Sequence, residues 1–278
     1  MRFFDTHLHL WDLKEFPYSW CAGVPKLNRS FLLQDYRDAA DGCGIQKALF
    51  MECDVDEPYS LDEARRIQSL AGGNPFIAGI IASGRPEREG FGEYLDALAK
   101  LPLVRGLRRV LHTQPDALSQ SALFAENLRL LPQYELTFDL CVQARQLPLA
   151  IALVKKCPGL TFILDHCGVP DVKGRAFDPW RTHIQKLSAF PNVVCKISGL
   201  VAYADPACWT VEDLRPWVEH VIACFGWDRV VWGGDWPVCT LSATLRQWVD
   251  ATLELTKGAA EADRENLFWR NAERIYRI

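Results

Sequence analysis

Residues 5–13 read DTHLHLWDL, and what this stretch lacks decides the fold. It ends the first strand-like run, RFFDTHLHLW over residues 2–11, where a doubly wound nucleotide-binding sheet would place a glycine-rich phosphate turn. No glycine is present there. Seven further runs rich in β-branched and aromatic residues follow Gly, Pro or Asn breaks. They are GCGIQKALFMECDV (42–55), GGNPFIAGIIAS (72–83), LPLVRGLRRVLH (101–112), LPQYELTFDLCV (131–142), CPGLTFILDHCG (157–168), FPNVVCKISGL (190–200) and FGWDRVVWGGDW (225–236).

Amphipathic patterns fill the gaps. Ser60 to Ala71 starts with Ser60 and Glu63 spaced as a capping box and carries Leu61, Ala64, Ile67 and Leu70 on one face. Others span Phe91 to Lys100, Ser121 to Leu131, Leu147 to Lys156, Trp180 to Phe190, Val211 to Phe225 (capped by Thr210 and Asp213) and Leu241 to Thr256. Eight strands alternating with helices predict an α/β fold, a (β/α)8 TIM barrel, because each βαβ unit needs about 30 residues or more. At about 150 residues per domain the length of 278 would also admit two domains. No linker or composition break divides the chain, so one domain over 1–278 is expected, with an aromatic-rich loop at 11–34 and a C-terminal helix at about 262–277.

A net charge of −4, with no clustered Lys/Arg excess, excludes a nucleic-acid surface. No apolar run reaches the roughly 20 residues that cross a bilayer, and His7, His9 and Asp5 interrupt the start where a secretory signal needs an apolar core. No membrane partner is therefore expected, and the chain reads as cytoplasmic. Monomer and homo-oligomer both stay open. The ten cysteines form no C-x-x-C pair and several sit in apolar runs, as buried reduced thiols do.

Chemistry in such a barrel gathers at the carboxyl ends of the strands. His7 and His9 are two residues apart, so alternation points both imidazoles to one side, with Asp5 on the same parity. Paired imidazoles suit a divalent metal. Asp235 follows the eighth strand, which neighbours the first in a closed barrel, and so can approach the pair. His166 ends the sixth strand on the parity of Phe162 and Leu164, while Asp165 takes the opposite, structural face. Glu52 ends the second strand and is a further metal candidate or an ion-pair partner. Arg108 and His112 share one parity of the fourth strand and Arg109 the other; an arginine in a barrel mouth suits an oxyanion or carboxylate. Asp139 and Lys196 are polar residues on apolar strands, hence cavity or ion-pair candidates. Trp11, Trp20 and Trp236 fall on strand-to-helix loops, where they serve either sugar stacking or the core. His183 and His220 read as helix-surface residues.

The strings DTHLHLWD (5–12), LDHCGVP (164–170), KISGL (196–200), GGDWP (233–237) and NAERIYRI (271–278) together resemble the amidohydrolase superfamily, in its amidohydrolase-2, sugar-lactonase-like branch. The resemblance runs over essentially the whole chain. It implies a (β/α)8 barrel and hydrolysis of a lactone, with His7, His9, His166 and Asp235 at the positions of the family pattern. The branch includes lactonases for fuconolactone, galactonolactone and rhamnonolactone and for dicarboxylate lactones of aromatic breakdown. The bridging lysine of two-metal members is missing after the fourth strand, where Arg108 and Arg109 stand, which implies one metal or none.

The resulting expectation is one divalent ion, zinc first, on His7, His9, Asp235 and Glu52 or a subset, with metal-free catalysis as the alternative. Asp235 then relays the water proton, and His166 and Arg108 steady the carbonyl oxyanion. A dicarboxylate substrate would need several converging arginines, and parity splits those of the fourth strand. A small sugar lactone, such as L-fuconolactone, is therefore the expected substrate. A metal-dependent decarboxylase of an aromatic acid and a catalytically silent barrel are the competing readings.

Overall fold

The computed structural model describes residues 1–278. Its eight strands are β1 (Phe3–Leu8), β2 (Ile45–Met51), β3 (Ile77–Ser83), β4 (Val104–Val110), β5 (Thr137–Cys141), β6 (Phe162–Leu164), β7 (Val193–Ile197) and β8 (Val230–Trp232). All neighbours pair in parallel and in chain order, β1 through β8. The expected TIM barrel is what the chain forms.

Alternation along each strand sorts side chains into two layers. Phe4, Leu49, Met51, Ile81, Ile163, Val194 and Val231 fill the lower interior together with Trp269, Ala272, Ile275 and Tyr276 of the C-terminal helices. Phe3, Ala48, Phe50, Leu107, Phe138, Leu140, Phe162, Leu164 and Trp232 belong to the layer shared with the surrounding helices. The interior changes from apolar at the bottom to polar above, because Arg108, Asp139, Lys196 and His7 are buried higher up.

The helices are α1 (Leu33–Ala40), α2 (Ser60–Ala71), α3 (Phe91–Leu98), α4 (Ala122–Leu128), α5 (Leu147–Lys156), α6 (Trp180–Ser188), α7 (Val211–Phe225) and α8 (Leu245–Leu255). A C-terminal run then joins α9 (Glu261–Glu265) through a π-turn at Asn266–Arg270 to α10 (Asn271–Tyr276). Helix α1 has little apolar periodicity and is not legible as a helix in the sequence. The box at Thr210 and Asp213 forms, with Asp213 Oδ2 accepting from the Thr210 backbone N–H at 2.9 Å. The one expected at Ser60 and Glu63 does not. Tyr59 is the cap, and Glu63 Oε1 instead accepts from Tyr18 OH at 3.1 Å and from the Cys53 N–H at 3.3 Å.

The last strand returns to the first at the mouth. Leu8 bridges Trp236, the Asp235 N–H donates to His7 O, and the His9 N–H donates to Trp236 O, both at 2.9 Å. Lower down, Thr6 Oγ1 donates to Trp232 O at 2.7 Å, and Asp5 accepts from the Gly234 N–H at 2.7 Å. This seam needs Gly233, since a Cβ there would stand 2.7 Å from His7 Cβ. The 11–34 loop is ordered over the mouth by an antiparallel bridge between Trp11 and Phe31 and by the Trp20 indole N–H on Cys53 O at 2.8 Å. All ten cysteines are free, with Cys208 exposed, Cys224 half-buried and the rest buried. No helix is long and apolar enough to cross a membrane.

Candidate active site

The parity expected of Asp5, His7 and His9 breaks within β1, because the strand's register against β2 shifts between Asp5 and Leu8. Asp5 turns outward to accept from Tyr36 OH at 2.6 Å, whereas His7 and His9 meet inside the mouth. Their Nε2 atoms lie 3.2 Å apart. Asp235 holds φ at +54°, which aims its carboxylate at them, and its Oδ1 is 3.7 Å from each Nε2.

The proton inventory gives this triangle its chemical meaning. His9 Nδ1 is 3.0 Å from the Met51 carbonyl, so it carries the hydrogen and leaves a lone pair on Nε2. His7 lies with Nε2 3.2 Å from Arg108 Nη1 and Nδ1 3.3 Å from Lys196 Nζ, so a cationic donor faces each of its ring nitrogens. Burial holds both rings neutral, lowering His7 well below the usual histidine range and His9 to about 3, the latter aided by Arg108. Two imidazole Nε2 atoms and a carboxylate oxygen thus converge on one point. Separations of 3.2–3.7 Å are what neighbouring donors around one tetrahedral zinc would show, about 3.3 Å for bonds of about 2.0–2.1 Å. The donor set therefore fits a divalent cation. His166 completes the group, with ligand-capable atoms of His7, His166 and Asp235 all within 4.8 Å of one another.

His166 reaches the site for a different reason from the expected one. Phe162 and Leu164 face the helices, and it is Ile163 and Asp165 that continue the interior parity. The strand stops at Leu164, and a left-handed backbone at His166 (φ +53°) swings its ring inward onto Ser198 Oγ at 2.9 Å. Gly199, itself at φ +67°, makes the room, because a Cβ would fall 2.5 Å from His166 Nδ1.

Asp165 is thus a site residue that strand parity misassigned. Fully buried, it lies 3.5 Å from His7 Nδ1, 2.9 Å from Lys196 Nζ and 3.6 Å from Arg108 Nη1. Lys196 also donates to Asp139 at 2.6 Å. One ammonium serves two buried carboxylates. Burial opposes both charges, yet Lys196 and His7 hold Asp165 well below the usual range, while Asp139 is pushed up to about 7. Burial opposes the Lys196 charge too, and the two carboxylates outweigh it.

Above these groups opens a cavity of about 430 Å³. Its floor carries His9, His166, Asp235 and Arg108, and Trp11, Trp20 and His112 line it as expected of substrate-contact candidates. Three expected positions fall elsewhere. Asp139 and Lys196 form the ion-pair layer beneath the floor, and Trp236 packs edge-on against Phe31 and Tyr36 behind the seam. Glu52 does not present a free metal ligand, because Oε1 accepts from Arg108 Nε at 2.6 Å and Oε2 from the Asp54 N–H at 2.7 Å. Arg108, not Arg109, faces the cavity; Arg109 pairs with Glu87 at 2.9 Å. Burial pushes Asp235 up to about 6, against the pull of His166 and Arg108.

A closed (β/α)8 barrel with imidazoles and a carboxylate converging at the carboxyl ends of its strands belongs to the class of barrel enzymes that work from that face. Residues 4–278 match the amidohydrolase family, and the chain belongs to it. It is 29% identical to an L-fucono-1,5-lactonase of Burkholderia multivorans, over 99% of this chain and 95% of that one. A second L-fucono-1,5-lactonase, from Burkholderia ambifaria, is 27% identical over 86% of this chain and 81% of its own length. The crystal structure of an amidohydrolase from Burkholderia multivorans with bound Zn superposes with a TM-score of 0.89 at 25% identity, covering all of both chains.

Proposed function

We propose that this protein hydrolyses a sugar-acid lactone, an aldonolactone of the L-fuconolactone kind, to the open-chain aldonate. The observation that carries the reading is the triangle of His7 Nε2, His9 Nε2 and Asp235 Oδ1 at the floor of an aromatic-walled cavity. The similarity to two L-fucono-1,5-lactonases gives the substrate class.

His7, His9 and Asp235 would hold one divalent ion, zinc by donor type, and such an ion supplies Lewis-acid polarisation of the lactone carbonyl and of water. Asp235 Oδ2, on the His166 side, takes the proton of the attacking water and returns it to the departing ring oxygen. Burial raises the Asp235 carboxyl in the metal-free chain, and a divalent ion held beside it would favour the ionised form that accepts the proton. Arg108, held rigid by Glu52, and His166 steady the oxyanion that forms on the carbonyl, an interaction worth about 3 kcal/mol per donor. Addition of water to the ester gives a hydroxyl and a carboxylate, and one proton is released.

The charge layout favours a neutral ring over a dicarboxylate. Arg108 is paired with Glu52, Arg109 with Glu87, and Arg85 with Asp54 and Glu57, which leaves none of these guanidiniums free for a second carboxylate. Half-buried Trp20 is the indole available to sugar C–H surfaces at the cavity wall, with Trp11 packed behind it.

The test is a panel of sugar lactones read with a pH indicator on the parent and on Asp235→Asn, alongside metal analysis. Acid release by the parent, reduced at least a thousandfold in the variant, is expected. Equal rates for both proteins would overturn the mechanism. An aromatic acid that yields carbon dioxide, with no lactone opened, would overturn the substrate class.

A further inference from the structure

Above the reaction floor the cavity wall is mostly apolar or aromatic, and one acid stands out on it. Besides Asp235, the only carboxylate lining the cavity is Asp54, just beyond the end of β2. Its backbone is left-handed, with φ at +49°, and its peptide N–H is tied to Glu52 Oε2 at 2.7 Å. A residue in this region persists where its surroundings over-determine it, a condition common at ligand-contacting positions. Here Glu52 is itself locked to Arg108, so one chain of bonds runs from the reaction floor to Asp54.

The carboxylate is held on one side only. Oδ1 accepts from Arg85 Nη2 at 3.2 Å and lies 3.8 Å from Arg109 Nη1. Arg85 is further fixed by Ser83 Oγ and Glu57, and Arg109 by Glu87. Oδ2 has no partner in the protein, and the side chain is 28% exposed at the cavity wall. A clamped carboxylate with one free oxygen accepts hydrogen bonds from O–H and N–H donors, and on a lactone ring the donors are its hydroxyls, because the ring ether, the carbonyl and alkyl groups offer it no proton.

We infer that Asp54 is the specificity-determining residue that recognises ring hydroxyls of the substrate, selecting polyhydroxylated lactones over unsubstituted ones. This rests on the lactone reading above and sharpens it. The floor attacks the carbonyl, which every lactone shares, whereas Asp54 reads the ring, which differs between lactones. A site built to bond a hydroxyl rejects an analogue without it more strongly than an apolar wall could, since the acceptor is left unpaired. The same negative charge disfavours anionic ligands, the aldonate product among them.

The test compares Asp54→Asn with the parent on L-fucono-1,5-lactone and on δ-valerolactone, a ring of the same size without hydroxyls. Asparagine tolerates the left-handed backbone, and a thermal melt confirms folding. The expected result is a ten- to hundredfold fall in the ratio of sugar-lactone to valerolactone kcat/KM, the range for losing a charge-assisted hydrogen bond. A ratio within twofold of the parent's, whether both rates fall together or neither does, overturns the inference. Failure of the lactone reading has a different signature, in which the parent opens neither lactone faster than buffer alone; a parent that opens both equally overturns the inference about Asp54.

Discussion

His7 Nε2 and His9 Nε2 face each other across 3.2 Å, with Asp235 Oδ1 3.7 Å from each. With both rings kept neutral by burial, the approach is satisfied either by a hydrogen on one Nε2 or by a cation between them. A divalent cation takes the place of that hydrogen and binds the folded chain alone. Zinc at a hundred times its Kd is therefore expected to stabilise the protein by about 2.7 kcal/mol, with one ion per chain by metal analysis. His9→Ala should weaken zinc binding at least a hundredfold in competition with a chromogenic chelator. Unchanged affinity in His9→Ala would show that zinc sits elsewhere.

Glu52 holds Arg108 in place, with both of its carboxylate oxygens engaged by protein donors. The pair is buried and joined by Arg108 Nε on Glu52 Oε1 at 2.6 Å and Arg108 Nη2 on the Glu52 carbonyl at 2.7 Å. Removing one charge leaves the other uncompensated in a low-dielectric interior, at a cost of about 3–5 kcal/mol. Glu52→Gln should accordingly lower the free energy of urea unfolding by about 3 kcal/mol. An exposed pair such as Lys257 with Glu254 is the control, and Lys257→Ala should change stability by less than about 1 kcal/mol. Similar small losses in both variants would show that the buried pair is solvated.

Strand periodicity made part of this site legible and concealed the rest at identifiable places. His7 and His9 could be read because they are spaced by two, and Asp235 because closure brings the last strand to the first. Asp165 was hidden by taking Phe162 and Leu164 for the interior face, though Ile163 carries that parity and points to Asp165. His166 and Asp54 lie just beyond their strands in left-handed conformations, where alternation no longer applies. The pairing of Lys196 with both Asp139 and Asp165 joins three strands or their ends, and no local pattern contains it. Ser60 with Glu63 shows the converse, a capping signal overridden because a buried carboxylate meets Tyr18 and the Cys53 peptide.

That same Glu63 sets a pH dependence. Burial pushes its carboxyl up to about 8, reinforced by Glu52 and opposed by the Tyr18 and Cys53 hydrogen bonds. Between the unfolded value near 4.3 and the folded value near 8 the native state binds the extra proton. Stability from this group is thus fully present below the lower value, declines as pH rises, and levels off above the higher one. Glu63→Gln keeps an acceptor for both donors and cannot ionise. It should remove that part of the decline, about 1.4 kcal/mol for each pH unit between the two values, leaving the variant more stable than the parent by several kcal/mol at pH 8. Parallel stability curves for the two proteins from pH 5 to 8 would show that Glu63 is ionised throughout.

Gly199 and Gly90 share a left-handed backbone, at φ +67° and +74°, but differ in surroundings. A Cβ at Gly90 meets nothing within 4 Å, whereas at Gly199 it would stand 2.5 Å from His166 Nδ1 and 3.1 Å from Asp235 Oδ2. Gly90→Ala should therefore cost only backbone strain, about 1–2 kcal/mol, and leave kcat/KM within about twofold of the parent's. Gly199→Ala pays the same strain and also displaces His166 from Ser198 and Asp235, so its lactonase kcat/KM should fall at least a hundredfold. Measuring both variants at a temperature where each is fully folded separates placement from stability. Full activity in Gly199→Ala would mean that the position of His166 does not govern the reaction.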